Sequence, residues 1–179
     1  NNHYQKIEHF LKLLPSEQYE SCIKIMSDNP ERFNISPGSK IKHQAWTGGY
    51  IDHLHECMSL GTIMYNQLSL HRTLPFSLGD VVLVLFIHNL EKPFKYTEPC
   101  MTFHDDLEKK NFIYNLLNEY KIALTPEQEN AFIYIHGEGD EYNSDKNVQG
   151  PLAAFVHSLD TISARVWHEE PKKSGYLAI

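Results

Sequence analysis

The amino-acid sequence predicts an all-α fold, a bundle of about six to eight helices. Apolar residues recur at helical spacing, and no stretch alternates apolar and polar residues as a half-buried strand does. The run from Val81 to Ile87 is apolar on every side, which places its helix at the centre of the fold. The chain has 179 residues, 41% hydrophobic and 22% charged. These values are typical of one globular domain, and we expect a single domain over 1–179.

Prolines, glycines and capping residues delimit the predicted helices. Pro15 separates the first two, which cover 3–14 and 16–28, and a loop rich in Asn, Pro, Ser and Gly is predicted over 29–49. Thr125 followed by Pro126 and Gln128 is a strong helix-start signal, and Pro93 is predicted to end the central helix. The remaining helices are predicted over about 50–68, 78–88, a stretch that begins at residue 105 or 106, 126–136 and 151–167.

The net charge and the cysteine content limit the classes of binding partner and the cellular compartment that we expect for this protein. The formal net charge is −7, so we expect no long nucleic acid as a partner, since that binding requires lysine and arginine to neutralise phosphates. Cys22, Cys57 and Cys100 are scattered and lack metal-knuckle spacing, which favours free thiols in a cytoplasmic protein. The longest apolar run is too short for a membrane span, and no signal peptide is recognised. We therefore expect no membrane partner.

Several of the eleven histidines fall at the ends of predicted helices. Asp160 borders the apolar stripe of the last helix, where a carboxylate is costly unless it is paired or coordinated. Imidazoles that converge on such a carboxylate suit one or two divalent ions. Taken singly, each residue has an ordinary explanation, such as an ion pair between Asp160 and Arg165. The side chains considered are His53, His88, His104, His136 and Asp160, whereas His71, His157 and His168 are interpreted as structural or surface residues.

Five segments, in order, resemble the motifs of HD-domain metal-dependent phosphohydrolases. The first is similar to the family's H-x-A-[WY]-x-G-G-L-x-E-H signature, and the second to its H-D-I-G-K motif. The resemblance covers about 43–166, which we expect to form the domain core with helices 3–28 packed on it. The segments are His43-Gln-Ala-Trp-Thr-Gly-Gly-Tyr-Ile-Asp-His53, His88-Asn-Leu-Glu-Lys92-Pro, His104-Asp-Asp-Leu-Glu-Lys-Lys, Ile135-His136-Gly137-Glu138 and Leu159-Asp160-Thr-Ile-Ser-Ala-Arg165.

The resemblance implies an HD-domain helical bundle that hydrolyses a phosphate ester with water activated by one or two divalent metals. Mn, Fe, Co, Ni and Zn suit imidazole and carboxylate ligands, and Mg is compatible. Lys92 is implied to place its charge on the substrate phosphate, and Asn89 and Lys92 occupy the catalytic positions of the motif. His43 and Lys95 are weaker candidates for substrate binding. The implied ligands are His53, His88, the position of Asn89, and Asp160, with His104 and His136 for a second metal.

Asn89 stands where the motif has aspartate. Asparagine offers one neutral carbonyl oxygen and an NH₂ group that cannot coordinate a cation. We therefore expect weakened metal binding and little or no hydrolysis by this chain. Two explanations stay open. In the first, which we favour, the natural protein has aspartate and this chain is an inactivated variant; in the second, a degenerate domain binds a nucleotide or partner without hydrolysis.

The predicted substrate is a small nucleotide or a short oligonucleotide. Aromatic side chains near the motifs could stack on a base, and the acidic 138–145 loop could cover the site. The apolar face of the first helix could pack on the bundle or on a second subunit, which leaves a homo-oligomer open. The aromatic residues are Trp46, Tyr50, Phe94, Tyr96 and Tyr142, and the apolar face comprises Tyr4, Phe10 and Leu14.

Overall fold

All regular elements of the computed structural model, which describes residues 3–167, are helices. The predicted all-α bundle is therefore confirmed. The charged segment after residue 167, with His168, lies outside the described residues. In chain order the elements are a 3₁₀ helix at His3–Ile7, α1 (Glu8–Leu11), α2 (Ser16–Asp28), α3 (Pro30–Ile35), α4 (Gly49–His71), α5 (Leu78–Ile87), α6 (Lys92–Tyr96), α7 (Asp106–Glu119), α8 (Pro126–Tyr134), a 3₁₀ helix at Gly139–Glu141, and α9 (Pro151–Arg165).

Two short helices lie where the sequence predicted loops. Helix α3 occupies part of the predicted 29–49 loop, and α6 begins at Lys92, after a turn that follows the central helix. Pro30 and Pro93 each lie in the first turn of these helices, where proline has no intrahelical hydrogen bond to lose. The prediction that Pro93 ends a helix and is followed by a loop was wrong, because proline in this position starts the next helix.

Helix α5 lies at the centre of the core, as predicted. Every residue from Val81 to Ile87 is fully buried, and α5 packs against α1, α4, α8 and α9. Its start is defined by a capping box between Ser77 and Asp80. Gln128, the N3 residue of the predicted α8 capping box, donates from Nε2 to Asp80 Oδ1 at 2.7 Å. The first turns of α5 and α8 are therefore joined, which sets the position of α8 relative to the core.

The N-terminal helices pack on the same core. Tyr4, Phe10 and Leu14 are buried within the cluster that includes α5. Of the two alternatives for this apolar face, the structure therefore selects packing on its own chain. The side chain of His3 contacts the Gly48 carbonyl through Nε2 at 3.0 Å, so this segment also supports the turn that precedes α4.

The turn before α4 is tightly folded. Gly48 has φ 78°, in the left-handed region where glycine is favoured. A Cβ at Gly49 would lie 1.9 Å from the Gln44 carbonyl oxygen, so no side chain fits there. Trp46 Nε1 donates to Asp52 Oδ2 at 2.9 Å, which ties the turn to the first residues of α4. These contacts define where α4 begins and thereby place His53 at the interface with α9. Within residues 3–167, each helix is too short or too polar to span a membrane.

Candidate metal centre

The Asp160 carboxylate is the point at which three of the predicted histidines meet. Its Oδ1 lies 3.1 Å from His53 Nε2 and 3.5 Å from His88 Nε2, and its Oδ2 lies 3.2 Å from His136 Nδ1. The four residues come from α4, the end of α5, the segment after α8, and α9. Residues separated by more than a hundred positions are therefore brought together by the packing of α4, α5 and α8 against α9.

Burial and mutual contacts set the charges in this cluster. Burial raises the pKa of Asp160, but its hydrogen-bond contacts with His136 and His53, together with the nearby His88 ring, outweigh burial and hold the pKa well below the usual range. Burial lowers the pKa of His53 to about 3, despite the opposing contact with Asp160. At neutral pH the centre therefore contains an ionised carboxylate facing the neutral imidazole of His53.

His88 has a buried ring nitrogen without a hydrogen-bond partner. Its Nδ1 lies 2.6 Å from the Leu85 carbonyl oxygen, which can only accept, so Nδ1 carries a proton. In the neutral ring, Nε2 then presents a lone pair. Among the described residues this Nε2 has no hydrogen-bond partner, although it lies 3.5 Å from Asp160 Oδ1. Two electron-rich atoms face each other here, an arrangement that a proton or a cation between them would stabilise.

His53 is oriented by residues that the sequence analysis did not single out. Its Nδ1 lies 3.0 Å from Ser163 Oγ, and Gln44 Nε2 donates to the Ser163 carbonyl at 3.2 Å and to its Oγ at 3.3 Å. A serine hydroxyl can donate or accept, so Ser163 satisfies either tautomer of His53. When Nε2 donates to Asp160, Ser163 donates to Nδ1; when Nε2 binds a cation, Nδ1 can donate to Ser163.

Cys57 completes a candidate metal-binding triad. Its Sγ lies 3.8 Å from both ring nitrogens of His53. His53, Cys57 and Asp160 each offer a ligand atom, and these atoms lie within 4.8 Å of one another. From the sequence, Cys57 was predicted only to be a free thiol. Its spacing of four residues from His53 on α4 is the signal that could have identified it, because positions i and i+4 share one face of a helix.

A cavity of about 270 Å³ opens beside His88 and His136. The predicted residues Asn89, Lys92 and Lys95 line it. Burial lowers the pKa of Lys92, while Glu91 and Asp160 oppose this effect. The remaining lining residues were not predicted as site residues, except for Tyr96, which was considered for stacking on a base. They are Glu91, Tyr96, Asp106, Lys109, Lys110, Ile113, Phe132 and Ile133.

Two predicted residues, His43 and His104, neither line the cavity nor form a hydrogen bond or ion pair with Asp160 among the described contacts. His43 is half-buried and contacts His53, with ring centroids 5.0 Å apart. His104 is exposed just before Asp105, the cap of α7, and its backbone N–H donates to Glu108 Oε2 at 2.7 Å. The structure thus leaves the His104 side chain exposed to solvent and outside the cluster around Asp160.

Most of the aromatic residues considered for base stacking serve other purposes. Tyr50 is fully buried against Phe33, and Phe94 packs on Phe112. Tyr142 is exposed, and Trp46 bonds to Asp52. Of this group, Tyr96 is the one that lines the cavity within the described part of the chain.

The buried imidazole of His53 predicts a specific pH dependence of stability in the metal-free chain. Its folded pKa of about 3 lies below its unfolded value of about 6.5. A lowered pKa contributes stability above pH 6.5 and loses it as the pH falls towards 3, by up to about 1.4 kcal/mol per unit. Urea unfolding in chelator between pH 7.5 and 4.5 should show this decline, and His53→Gln should flatten it. Equal slopes for both proteins would contradict the assignment.

Similarity to known proteins does not assign this centre. No protein-family model, curated protein or solved structure significantly matches the chain. The HD-type resemblance of the five motifs and the function that it implies therefore stay predictions, and the geometry around Asp160 is the physical support for them.

Proposed function

We propose that this chain is an HD-type metal-dependent phosphohydrolase scaffold that acts on a phosphate of a nucleotide or short oligonucleotide, with its activity weakened by Asn89. The observation that carries the proposal is the unpartnered His88 Nε2, which faces the Asp160 carboxylate beside a lysine-lined cavity. A cation site that adjoins a lysine-lined cavity is the combination that phosphoryl chemistry needs.

The residues around Asp160 fit a divalent cation. His53 and His88 offer nitrogen, Asp160 offers oxygen, and Cys57 offers sulfur. This set suits Zn, Co, Ni, Fe or Mn better than Mg, which prefers oxygen ligands. His136 is the further donor that would serve a second ion. When bound, a divalent ion would offset phosphate charge and make a water molecule more acidic.

The protein's own side chains would hold the substrate next to that ion. Lys92 is half-buried beside His88 and lines the cavity. Burial lowers its pKa and Glu91 and Asp160 oppose this effect, and the ammonium would hold a phosphate oxygen. Lys95 lines the same cavity, whereas His43 contacts His53 and would act by supporting that ring. A cytoplasmic setting belongs to this proposal, because Cys22, Cys57 and Cys100 are free thiols.

Asn89 favours a second candidate function, a module that binds a nucleotide without hydrolysing it. Asn89 is buried and lines the cavity. Its amide can donate a hydrogen bond to a phosphate oxygen, but it brings no negative charge to a metal. The two functions differ in the expected response to an aspartate at this position.

The metal centre is tested by titrating metal-free protein with Mn²⁺ or Zn²⁺ in a calorimeter. We expect His88→Ala to weaken binding by about a hundredfold, because it removes the unpartnered Nε2. His157→Ala is the matched control, since His157 Nδ1 also contacts a carbonyl, that of Ile135, at 2.6 Å. It should change affinity by less than about threefold. No binding by the unmodified chain, or equal losses in both variants, would refute the proposed centre.

A further inference from the structure

We propose that the cavity beside His88 binds a chain of two or three phosphates, and that it selects ligands by the number of phosphates and not by the base. This inference rests on the proposed function for its place beside a metal centre. The lysines of α6 and α7 that line the cavity would provide this selection. The two on α7, Lys109 and Lys110, were not predicted as site residues.

The charge that lines the cavity exceeds what a single phosphate needs. Lys92 and Lys95 of α6 face the same space as Lys109 and Lys110 of α7. The cavity lining therefore contains four cations and two carboxylates, Glu91 and Asp106. This local excess of positive charge occurs in a chain whose formal net charge is −7. A phosphate at the metal centre would be held by Lys92, which leaves the α7 lysines to bind further phosphates along the chain.

On the α7 side of the cavity, an ion pair with Asp106 holds the Lys109 ammonium. Lys109 Nζ lies 2.6 Å from Asp106 Oδ1, and this bond raises the pKa of Lys109. The Asp106 side chain is 87% exposed, so solvent can stabilise it when Lys109 turns to a phosphate. Lys95 Nζ lies 5.3 Å from the centroid of the Tyr96 ring. Neither lysine is committed to a buried partner, and both can bind an incoming anion at modest cost.

The size and lining of the cavity leave little contact for a base. Its volume of about 270 Å³ is below the range of about 300 to 1,000 Å³ for pockets that enclose a drug-sized ligand. Ile113 and Phe132 are buried and present little surface for stacking. Of the half-buried lining residues Tyr96 and Ile133, Tyr96 has the Lys95 ammonium over its ring, 5.3 Å from the centroid. A phosphate chain fits such a space, whereas the base of a nucleotide would remain outside it.

Calorimetric titrations of the metal-free full chain with inorganic orthophosphate, pyrophosphate and tripolyphosphate test this inference. We expect affinity to rise by about tenfold with each added phosphate. Lys109→Ala/Lys110→Ala should lower tripolyphosphate affinity by about a hundredfold and orthophosphate affinity by less than about threefold. The control Lys40→Ala/Lys146→Ala removes the same charge at exposed positions outside the cavity and should leave both affinities within about threefold. ADP, GDP and UDP should bind within about threefold of one another.

The outcomes separate this inference from the proposed function. Tripolyphosphate that binds no tighter than orthophosphate, equal losses in both double variants, or strong base discrimination would overturn the inference even when metal binds at His88. Tight tripolyphosphate binding that depends on Lys109 and Lys110, in a chain that binds no metal, would support the phosphate selection and overturn the metal-dependent function.

Discussion

Asn89→Asp is expected to raise divalent-metal affinity by about a hundredfold and to produce phosphate release from nucleotides, whereas we expect little activity from the unmodified chain. Asn89 is buried directly after His88 and lines the same cavity. A carboxylate there adds a negative charge beside the proposed cation, whereas the amide supplies only a neutral oxygen. Mn²⁺ titration and release of inorganic phosphate from nucleoside di- and triphosphates measure the two effects.

Asn115→Asp provides the control for the added charge. Asn115 is exposed on α7 and does not line the cavity, so this variant should match the unmodified chain in metal affinity and activity. An Asn89→Asp protein that gains metal affinity but no activity would favour the binding module. A protein that gains neither would contradict the phosphohydrolase assignment of the scaffold.

Asp160→Ala is expected to abolish metal binding and to lower the free energy of unfolding by about 2 to 4 kcal/mol at pH 7. The fully buried His53 would lose the acceptor of its Nε2 hydrogen bond, and His136 would lose its contact with the same carboxylate. A buried donor that has no hydrogen-bond partner destabilises the folded state by the full free energy of its lost hydration. Urea unfolding in chelator gives the stability, and metal titration gives the affinity.

Asp160→Asn separates these two roles of the carboxylate. The asparagine has nearly the same size and keeps one acceptor oxygen for His53, so most of the stability should be retained. The negative charge is removed, so metal affinity should still fall by about a hundredfold. An alanine variant as stable as the unmodified chain would contradict the structural role, and an asparagine variant with unchanged affinity would contradict the role in metal binding.

Local sequence signals were sufficient for the central elements of the fold. A continuous apolar run identified α5, and threonine, proline and glutamine at 125–128 identified the start of α8. These signals act within one helix and do not depend on the rest of the chain. Loops were predicted around Pro30 and after Pro93, yet each of these prolines lies in the first turn of a short helix. Proline both ends one helix and favours the first turn of the next.

Much of the candidate site depends on packing between distant segments. The order of motifs grouped His53, His88, His136 and Asp160 as one candidate site. These side chains lie close together because α4, α5 and α8 pack against α9. The partnership of Ser163 with His53 could not be predicted, because it depends on the register of α9 against α4. These are long-range contacts that helical periodicity does not encode.

For charged residues near helix ends, the sequence was least able to predict which side chains join the candidate site. Lys109 and Lys110 in sequence are typical of a solvated helix face, yet the direction of α7 turns them towards the cavity. The His104 side chain, by contrast, is exposed to solvent. The orientation of a whole helix therefore decides which charged residues join a site, and only the tertiary structure defines that orientation.

Anomalous diffraction from crystals grown with saturating Mn²⁺ tests the metal centre most directly. We expect a peak between His88 Nε2 and the Asp160 carboxylate, with the Leu85 carbonyl still accepting from His88 Nδ1. Data from crystals of the His88→Ala protein should lack that peak. A peak that persists without His88, or no peak between these residues at saturating Mn²⁺, would contradict the assignment of Asp160 and its histidines as a metal site.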